Sequence, residues 1–443
     1  MREPRRRCAK RQPDPKQSQS YAEAARSSLL RIAIVGPFTG PSLMSEFRLA
    51  DSGTTLPPGY PGAPLMAVLA RALVDRGHEV ATISTDYTTP VGELAPFRCF
   101  RGSRVTVYFC PQRFRSFRSH EGRRGRALDF FRYERDCLKA AIADFAPDVA
   151  HAHWTYEFAW AALDSGVPTV ATAHDSPRSV VRFMPGLYRV ARYLMARQVL
   201  PRCEHLTAVS PDLAAELRSI CRRPIEVIPN PISRAIREGG LRNSDAFEKK
   251  TFLMVLNGWN ELKNAATALK AFGQARAADP MLSLVCYGAA YESEGVAHRW
   301  AQQHRLDAGV EFRGPVDHGT ILKQMRNSTA LVHPSRLEAC CMSIAEAMSV
   351  GLPVIAGRRT GGVPWQLDNG RAGILADVGN VSDLAGAMVT MTRDRSRWAG
   401  MSAVAVQRAE QLFDVDQIID QYCARYRSAL GAGAAPASNA VFQ

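Results

Sequence analysis

Two glutamates, Glu338 and Glu346, stand eight positions apart in the run PSRLEACCMSIAEAMSVGLPVIA, across the start of a predicted helix that follows a buried strand. If both were helical, eight steps of about 100° would leave them only about 80° apart, so they can address one ligand. The residues between them are small or slender: Ala339, Cys340, Cys341 and Ser343. A ligand can therefore approach the amides of the helix N-terminus, and such amides bind phosphate.

Two further residues could act on the same ligand. Lys263 comes just after a strand pattern and at a helix start, where a positive charge suits a pyrophosphate. A solvated lysine at the helix start is the alternative interpretation. His174 follows the apolar run TVATA, which predicts a position at the carboxyl end of a strand. A lone histidine in such a place is more often structural than catalytic.

Gly36, Gly62 and Asn230 could line the same site from other elements. Gly36 ends the first strand pattern and Gly62 stands where the first helix begins, which fits a loop folded over a cleft. Simple turn chemistry is the alternative for both glycines, and we favour it for Gly36. Asn230 follows the last strand of the first series and either contacts a ligand or forms an ordinary Asn-Pro turn.

Strand and helix patterns alternate along most of the chain in two successive series. The first series opens with RIAIVG at 31–36 and the second with TFLMVL at 251–256. Alternation of this kind predicts α/β domains with parallel, doubly wound sheets. Ligands of such sheets bind beyond the carboxyl ends of the strands. We therefore expect two Rossmann-like domains that face each other across a cleft, with a charged linker between them.

These patterns divide the chain into six segments. We expect a disordered basic tail at 1–28, a first domain at 29–232, a linker at 233–250, a second domain at 251–412, a C-terminal helix at 413–430 and a flexible tail at 431–443.

Composition narrows the class of protein. The chain has 443 residues, enough for two or three domains with real cores. No apolar stretch reaches the roughly 18 residues of a spanning helix, and the basic N-terminus lacks an adjoining apolar signal core. The ten cysteines show no Cys-x-x-Cys spacing and no zinc-ligand cluster, so we expect reduced thiols in a cytoplasmic protein.

The net charge of +14 comes from two segments. Residues 1–31 carry nine Lys or Arg against three acids, and residues 98–139 carry twelve against four. In the second segment the arginines interleave with phenylalanines, which favours a peripheral site on an anionic membrane surface. The phenylalanines are Phe109, Phe114, Phe117, Phe130 and Phe131. An ordinary solvated basic loop is the alternative, and because no nucleic-acid motif is present we expect no nucleic-acid partner.

The motifs together resemble the family 4 retaining glycosyltransferases, which have the GT-B fold. Glu338 to Glu346 resembles the Glu-x7-Glu motif of that family, and LNGWNELKNAATALKAF at 256–272 its phosphate-lysine loop and following helix. The other matching runs are PDVAHAHW at 147–154, TAHDS at 172–176, VIPNPI at 227–232 and GGVPWQL at 361–367. They occur in the expected order over roughly residues 31–426, which is more specific than any single match.

The resemblance implies a role for each motif residue. Glu346 would hold the donor ribose, Glu338 the transferred sugar, and His174 a sugar hydroxyl near the reacting carbon. Lys263 would hold the donor diphosphate. The helix amides at 340–343, which include those of Cys341, Met342 and Ser343, would share that role. The resemblance also implies that the C-terminal helix crosses back to the first domain.

One position departs from the family pattern. The family usually has an arginine five residues before the lysine, whereas this chain has Gly258. One cation for the phosphates is therefore missing, and Arg336 or Arg358 are the candidate substitutes. We expect neither metal nor cofactor, because Asp414 and Asp416, which spell Asp-x-Asp, open an amphipathic helix where acids are favourable without a metal.

The resemblance implies a retaining, metal-independent glycosyltransferase that moves a sugar from a nucleotide-sugar donor to a glycan or lipid-linked acceptor, in polysaccharide or glycolipid biosynthesis. The acceptor hydroxyl would attack from the face of the leaving group. Two alternatives stay open. A GT-B sugar-nucleotide epimerase would consume the donor without an acceptor, and a non-catalytic binding protein would explain the missing arginine.

Overall fold

The structure is a computed structural model that describes residues 29–47, 55–60, 65–92, 95–119 and 122–431. The segments predicted to be flexible, at 1–28 and after Gly431, lie outside these residues, as does Gly62.

The strands of the first domain come from residues 31–227. They are β1 (Arg31–Val35), β2 (Glu79–Asp86), β3 (Arg98–Arg101), β4 (Val105–Pro111), β5 (Val149–His153), β6 (Thr169–Ala173), β7 (His205–Ala208) and β8 (Glu226–Val227). Within the described residues they form one sheet in the spatial order β3-β4-β2-β1-β5-β6-β7-β8. All neighbours pair in parallel except β3, which pairs antiparallel with β4. The prediction of a purely parallel sheet is wrong at this edge, because a short turn at Gly102 returns the chain directly into β4.

The strands of the second domain come from residues 251–376. They are β9 (Thr251–Val255), β10 (Ser283–Tyr287), β11 (Val310–Gly314), β12 (Ala330–His333), β13 (Val354–Gly357) and β14 (Gly373–Ala376). Their spatial order is β11-β10-β9-β12-β13-β14, and the neighbours pair in parallel. The predicted fold class, two α/β domains with doubly wound sheets, is confirmed.

Helices connect the strands and cover the faces of both sheets. In the first domain they are α1 (Gly40–Phe47), α2 (Leu65–Asp75), α3 (Arg132–Phe145), α4 (Glu157–Asp164), α5 (Pro177–Phe183), α6 (Leu187–Val199) and α7 (Pro211–Leu217). Beyond it are α8 (Arg234–Glu238), α9 (Ala265–Ala278), α10 (Val296–Gln303), α11 (His318–Arg326), α12 (Met342–Ser349), α13 (Val363–Gln366), α14 (Val381–Met391), α15 (Arg395–Phe413) and α16 (Val415–Ala429). None of the described helices is both long enough and apolar enough to cross a membrane.

The central strands are buried on both faces, as the unbroken apolar runs of the sequence require. In β5 every residue from Val149 to His153 is buried, and in β12 every residue from Ala330 to His333. A strand covered by helices on both sides presents no polar face, so alternation is lost. Their carboxyl ends are therefore the places where polar side chains reach solvent, and the sheets direct these ends toward the cleft between the domains.

The last helix returns to the first domain. In α16 the buried residues Ile418, Ile419, Tyr422 and Tyr426 join the apolar cluster of β1, β2 and α2. The linker region predicted at 233–250 contains the short helix α8, whose Ile236 is buried, so this segment is packed against the domains.

The basic segment at 98–139 is less uniform than its sequence suggested. Phe109 and Phe131 are buried in the apolar cores, whereas Phe114 and Phe117 are exposed. Arg113 is also buried, in ion pairs with Asp129 and Glu134. Only part of the interleaved pattern is therefore available to an external surface.

Candidate active site

A cavity of about 430 Å³ lies between the two domains. The first domain contributes His174 and Asp175, which follow β6, and Asp212 of α7. The second domain contributes Lys263 from the loop after β9 and Glu338 from the loop after β12. The carboxyl ends of strands from both sheets meet here, so residues far apart in sequence form one site.

Glu338 and Lys263 are in direct contact. The Lys263 Nζ atom donates a hydrogen bond to Glu338 Oε1 over 2.6 Å. Their side chains are 25% and 18% exposed, so the ion pair is only partly screened by water. The cation that the sequence assigned to a diphosphate therefore has a carboxylate as its partner in this structure.

His333, the last residue of β12, supports the same carboxylate. Its Nε2 atom lies 3.3 Å from Glu338 Oε1, and the imidazole is buried. Burial opposes ionisation of Glu338, but the hydrogen bond from His333 and the charge of Lys263 outweigh it and hold the pKa of the carboxyl at about 2. Glu338 is therefore ionised throughout the neutral pH range.

The N-terminus of α12 offers backbone donors next to this carboxylate. Cys341 is the N-cap residue and makes no side-chain cap hydrogen bond. The first-turn amides of Met342 and Ser343 therefore remain without an intrahelical or capping acceptor. The Cys341 amide differs from the expectation, because it donates to Gln366 Oε1 over 2.9 Å. Two of the three predicted phosphate-binding amides are thus left for an anion.

Glu346 lies one turn into α12 and does not line the cavity. Its Oε1 atom accepts a hydrogen bond from His318 Nε2 over 3.0 Å. This hydrogen bond, opposed by burial, raises the pKa of His318 above its ordinary value. The structure therefore brings Glu338 and Lys263 together, whereas it separates Glu346 from them by the first turn of the helix.

His174 belongs to a row of three histidines. Its Nε2 atom lies 2.8 Å from His153 Nδ1, and the two rings stack with centroids 5.1 Å apart. The ring of His151 lies 4.1 Å from that of His153. The Nδ1 atom of His151 lies 2.7 Å from Tyr426 Oη, and its Nε2 atom lies 2.8 Å from Thr172 Oγ1. These hydrogen bonds connect α16 to the sheet. The row reaches from the C-terminal helix to the cavity.

Burial keeps all three imidazoles neutral. It lowers the pKa of His151 to about 3, that of His174 to about 4, and that of His153 well below its ordinary value. At neutral pH, His174 therefore faces the cavity as an uncharged ring. A neutral ring accepts or donates one hydrogen bond at each nitrogen, which suits a sugar hydroxyl.

Glycines allow the domains to approach each other closely. A Cβ atom on Gly362 would overlap the carbonyl oxygen of Ala339 and would lie 2.9 Å from Ser210 of the first domain. Gly361 has φ +50°, and its Cβ would overlap the Glu338 carbonyl oxygen. The strand-end loop singled out by the sequence therefore lies directly over the residues next to Glu338.

The remaining predicted positions have structural explanations. Asn230 Nδ2 donates to the Cys340 carbonyl oxygen over 3.3 Å, which links the domains. A Cβ on Gly36 would lie 2.8 Å from Met66 Cε and 3.1 Å from His153 Cβ, so Gly36 packs closely against both side chains. Gly258 has φ +92°, a conformation that disfavours an arginine there.

Neither candidate substitute for the missing arginine lines the interdomain cavity. Arg336 and Arg358 lie beside a separate pocket of about 310 Å³, and Arg358 is paired with Asp383 over 2.6 Å. Among the described residues, Lys263 is therefore the one Lys or Arg that lines the cavity.

Asp414 and Asp416 are engaged by protein groups. Asp414 is the N-cap of α16 and accepts hydrogen bonds from the Asp416 and Gln417 amides. Arg237 pairs with Asp414, and Arg234 pairs with Asp416. Their charges thus have partners, and neither residue lines the interdomain cavity.

Among the residues that the structure describes, the fold assembles one group of metal-type ligands that the sequence analysis did not find. Ligand atoms of His333, Glu338 and Cys341 lie within 4.8 Å of one another. However, the ammonium group of Lys263 already lies 2.6 Å from Glu338 Oε1, on the carboxylate that a metal would share. A cation at this place would be repelled by Lys263, so the donor set fits a divalent metal poorly.

Three residues of the site were missed by sequence reasoning. His333 ends a strand five positions before Glu338, and this proximity was an available signal. Gln366 lies in the strand-end loop region that had been singled out, but nothing in the sequence indicates that its side chain caps Cys341. Asp212 gave no signal, since an acid in the first turn of a helix is ordinary.

The chain matches two family models over most of its length. The family described as Glycosyltransferase Family 4 matches residues 65–235, and the family described as Glycosyl transferases group 1 matches residues 241–409. The first match covers the first domain from α2 onward, without β1 and α1, and the second match covers most of the second domain.

Similar proteins agree with these matches. The chain is 22% identical over 396 residues to N-acetyl-alpha-D-glucosaminyl L-malate synthase from Bacillus anthracis, which covers 84% of this chain and 94% of the relative. Sucrose-phosphate synthase from Thermosynechococcus elongatus has the same fold, with a TM-score of 0.69 at 17% identity over 91% of this chain and 100% of that one. HepE from Anabaena, solved in complex with UDP and glucose, also has this fold. Its TM-score is 0.61 at 19% identity, over 90% of this chain and 100% of HepE. The chain therefore belongs to the family 4 glycosyltransferases and is a glycosyltransferase of the GT-B fold.

Proposed function

We propose that the protein is a retaining glycosyltransferase that moves a sugar from a nucleotide-sugar donor to a glycan or lipid-linked acceptor, in polysaccharide or glycolipid biosynthesis. The observation that carries this proposal is the contact between Lys263 and Glu338 beside the N-terminus of α12. A cation and a carboxylate thus line one cavity, and the helix that follows the carboxylate begins with amides that are left for an anion.

The donor diphosphate is assigned to Lys263 and to the amides of Met342 and Ser343. An anion that enters here would compete with Glu338 for the ammonium group, because the two groups are in contact. Glu338, once released, is free to accept hydrogen bonds from hydroxyls of the transferred sugar. Glu346 is assigned to the ribose, with His318 holding its carboxylate in place.

The transfer step then needs no protein nucleophile. The bond between the anomeric carbon and the donor phosphate oxygen breaks, and the acceptor oxygen bonds to that carbon on the same face. The acceptor proton passes to the departing phosphate oxygen. Lys263 and the helix amides stabilise the negative charge that develops on the diphosphate, in the manner of an oxyanion hole. His174 is assigned to a sugar hydroxyl beside the reacting carbon.

Several findings support this assignment over the alternatives. HepE, a protein of the same fold, is seen with UDP-glucose, which supports a nucleotide sugar as the donor. The relatives are named as synthases and glycosyltransferases, which favours transfer over epimerisation or binding alone.

We further propose that no metal or other cofactor takes part, and that the protein works in the cytoplasm, with the segment 98–139 and the N-terminal tail against an anionic membrane. The two exposed residues Phe114 and Phe117 support the membrane contact.

The proposal is tested in two steps. Nucleotide sugars are first screened by thermal shift, because a ligand that binds the folded protein raises its unfolding temperature. The stabilising donor is then incubated with candidate acceptors, and the product is analysed by NMR for its anomeric configuration. Retention supports the proposal. Inversion, or conversion of the donor to an epimer without an acceptor, contradicts it.

A further inference from the structure

A second polar pocket, of about 210 Å³, lies on the first domain. The loops that follow β2 and β4 form its walls, together with Arg118, Arg123 and Arg124. Five of its lining residues are arginines. Arg113 is paired with acids, and the pocket formed by the other four, Arg115, Arg118, Arg123 and Arg124, is what we call the arginine pocket. Tyr87 and Phe114 add aromatic surface to the same lining. The pocket is thus concave, cationic and partly aromatic.

The charge of this pocket is not neutralised by the acids that the structure describes nearby. Asp129 and Glu134 both bind Arg113, a lining residue whose guanidinium they share, so these two carboxylates are already engaged. Asp86, at the end of β2, is buried and accepts hydrogen bonds from Thr88 and Thr89. Within the part of the chain that the structure describes, Asp129 and Glu134 form their ion pairs with Arg113, and no acid forms one with the four arginines of the pocket.

Two contacts hold the pocket in shape. The Arg113 guanidinium donates to the Arg124 carbonyl oxygen over 3.0 Å while it binds both acids, so it fixes the backbone of the pocket wall. The Arg123 guanidinium lies 4.6 Å from the ring centroid of Tyr133. Arginines placed in this way lose less side-chain freedom when an anion binds than arginines on an open surface.

The pocket opens on the same edge of the sheet as the interdomain cavity. The parallel strands β4, β2, β1, β5 and β6 lie side by side in that order, and all end at this edge. Neighbouring strands are about 4.8 Å apart, so the ends of β2 and β4 lie roughly 14–19 Å from the end of β6, where His174 stands. A ligand group in the pocket would thus be separated by more than one sugar ring from a hydroxyl at His174.

We propose that the arginine pocket binds a phosphate or diphosphate group of the acceptor, at a distance from the hydroxyl that receives the sugar. The inference rests on the proposed function, since it assumes that the first domain holds the acceptor. Guanidinium groups match phosphate through paired hydrogen bonds, and several of them around one concavity fit an anion with several oxygens. The acceptor is therefore an anionic molecule longer than one sugar, either a phosphorylated soluble glycan or a glycan on a lipid diphosphate.

The test compares two charge-matched pairs of substitutions. The pocket pair is Arg118→Gln with Arg124→Gln. The control pair is Arg98→Gln with Arg132→Gln, exposed arginines of the same basic segment that do not line the pocket. Both pairs are made in the full chain with Lys263→Ala, so that the interdomain cavity contributes little to anion binding. Affinity for inorganic pyrophosphate is then measured by calorimetry.

We expect the pocket pair to weaken pyrophosphate binding about tenfold or more, because each substitution removes a charge-assisted hydrogen bond to the anion. We expect the control pair to weaken it less than about twofold, because salt screens the effect of an exposed charge that does not touch the anion. Equal affinities in the two pairs would overturn the proposal. Failure of the proposed function would be recognised separately. In that case the unsubstituted protein would neither bind nor turn over nucleotide sugars, and the pyrophosphate comparison between the two pairs would be unaffected.

Vesicle sedimentation identifies the source of the phosphate. Loss of binding by the pocket pair alone to phosphatidylcholine vesicles that carry polyprenyl diphosphate supports a lipid-linked acceptor. Loss of pyrophosphate binding with no effect on those vesicles supports a soluble phosphorylated glycan. If both pairs lose binding equally to vesicles of phosphatidylcholine and phosphatidylglycerol and neither affects pyrophosphate, the arginines form a membrane-facing surface and the pocket proposal is wrong.

Discussion

Replacement of Glu338 by glutamine should strengthen the binding of a free nucleoside diphosphate while abolishing sugar transfer. Lys263 Nζ and Glu338 Oε1 are 2.6 Å apart, so a diphosphate that takes the ammonium group must displace or share this partner. In Glu338→Gln the carboxylate charge is gone, and the ammonium group stays partly buried without a counter-ion. An anionic ligand then restores the missing charge.

The magnitude follows from the strength of such contacts. A charge-assisted hydrogen bond contributes about 1.5–3 kcal/mol, so Lys263→Ala should weaken nucleoside diphosphate binding about 10- to 150-fold. The Glu338→Gln change removes only a competitor that is partly exposed to water, and we expect about 1 kcal/mol, or about fivefold tighter binding. The two substitutions should therefore move affinity in opposite directions.

Calorimetry with the nucleoside diphosphate of the stabilising donor measures both effects, and transfer assays follow activity in parallel. Lys270→Ala is the matched control, because Lys270 is an exposed lysine of α9 that does not line the cavity. Thermal unfolding of each variant checks that the domain is intact. If Glu338→Gln weakened binding as much as Lys263→Ala, or if Lys263→Ala left it unchanged, Lys263 would not be the diphosphate cation.

Three further outcomes are expected. Activity should persist in excess EDTA; complete inactivation restored by Mn²⁺ would contradict the assignment of the diphosphate to Lys263 and helix amides. Stability should fall by about 1 kcal/mol between pH 6.5 and 5.5 for each of His151, His153 and His174, because burial lowers their pKa values and only the unfolded chain takes up those protons. A melting temperature that stays constant over this range would refute the neutral histidine row. Gly362→Ala should lower both activity and melting temperature, because the added Cβ would overlap the Ala339 carbonyl oxygen. Gly386→Ala, at an open helix position, is the control and should be neutral or stabilising. Equal effects of the two changes would contradict the close packing of Gly362 against Ala339.

The sequence predicted the order of the elements and the sites at their ends. Apolar runs such as VAHAH and ALVH become buried strands, and a helix begins between Glu338 and Glu346, at Met342, as predicted. These features follow from local periodicity, since a strand buried on both faces and a helix with one apolar face each leave a pattern in a short window. The antiparallel edge strand β3 left too short a pattern among its arginines to be predicted.

Residue roles depended on contacts between distant parts of the chain. The sequence by itself determined which side chains stand at strand ends, namely His174, Lys263 and Glu338. Only the tertiary structure decided that Lys263 and Glu338, 75 residues apart, form an ion pair, and that Gln366 occupies the Cys341 amide. A pairing of this kind depends on which strands are neighbours and on how the two sheets face each other, and neither is written in the local pattern.

The arginines of the basic segment give the same lesson. In the sequence they are equivalent, because each adds one charge among polar and aromatic neighbours. In the fold Arg113 is buried between Asp129 and Glu134, whereas Arg118 and Arg124 face an open pocket. Net charge was thus determined by composition alone, while its distribution between ion pairs and a binding surface was decided by the packing of the loops after β4, because burial forces a charge to find a partner and exposure does not.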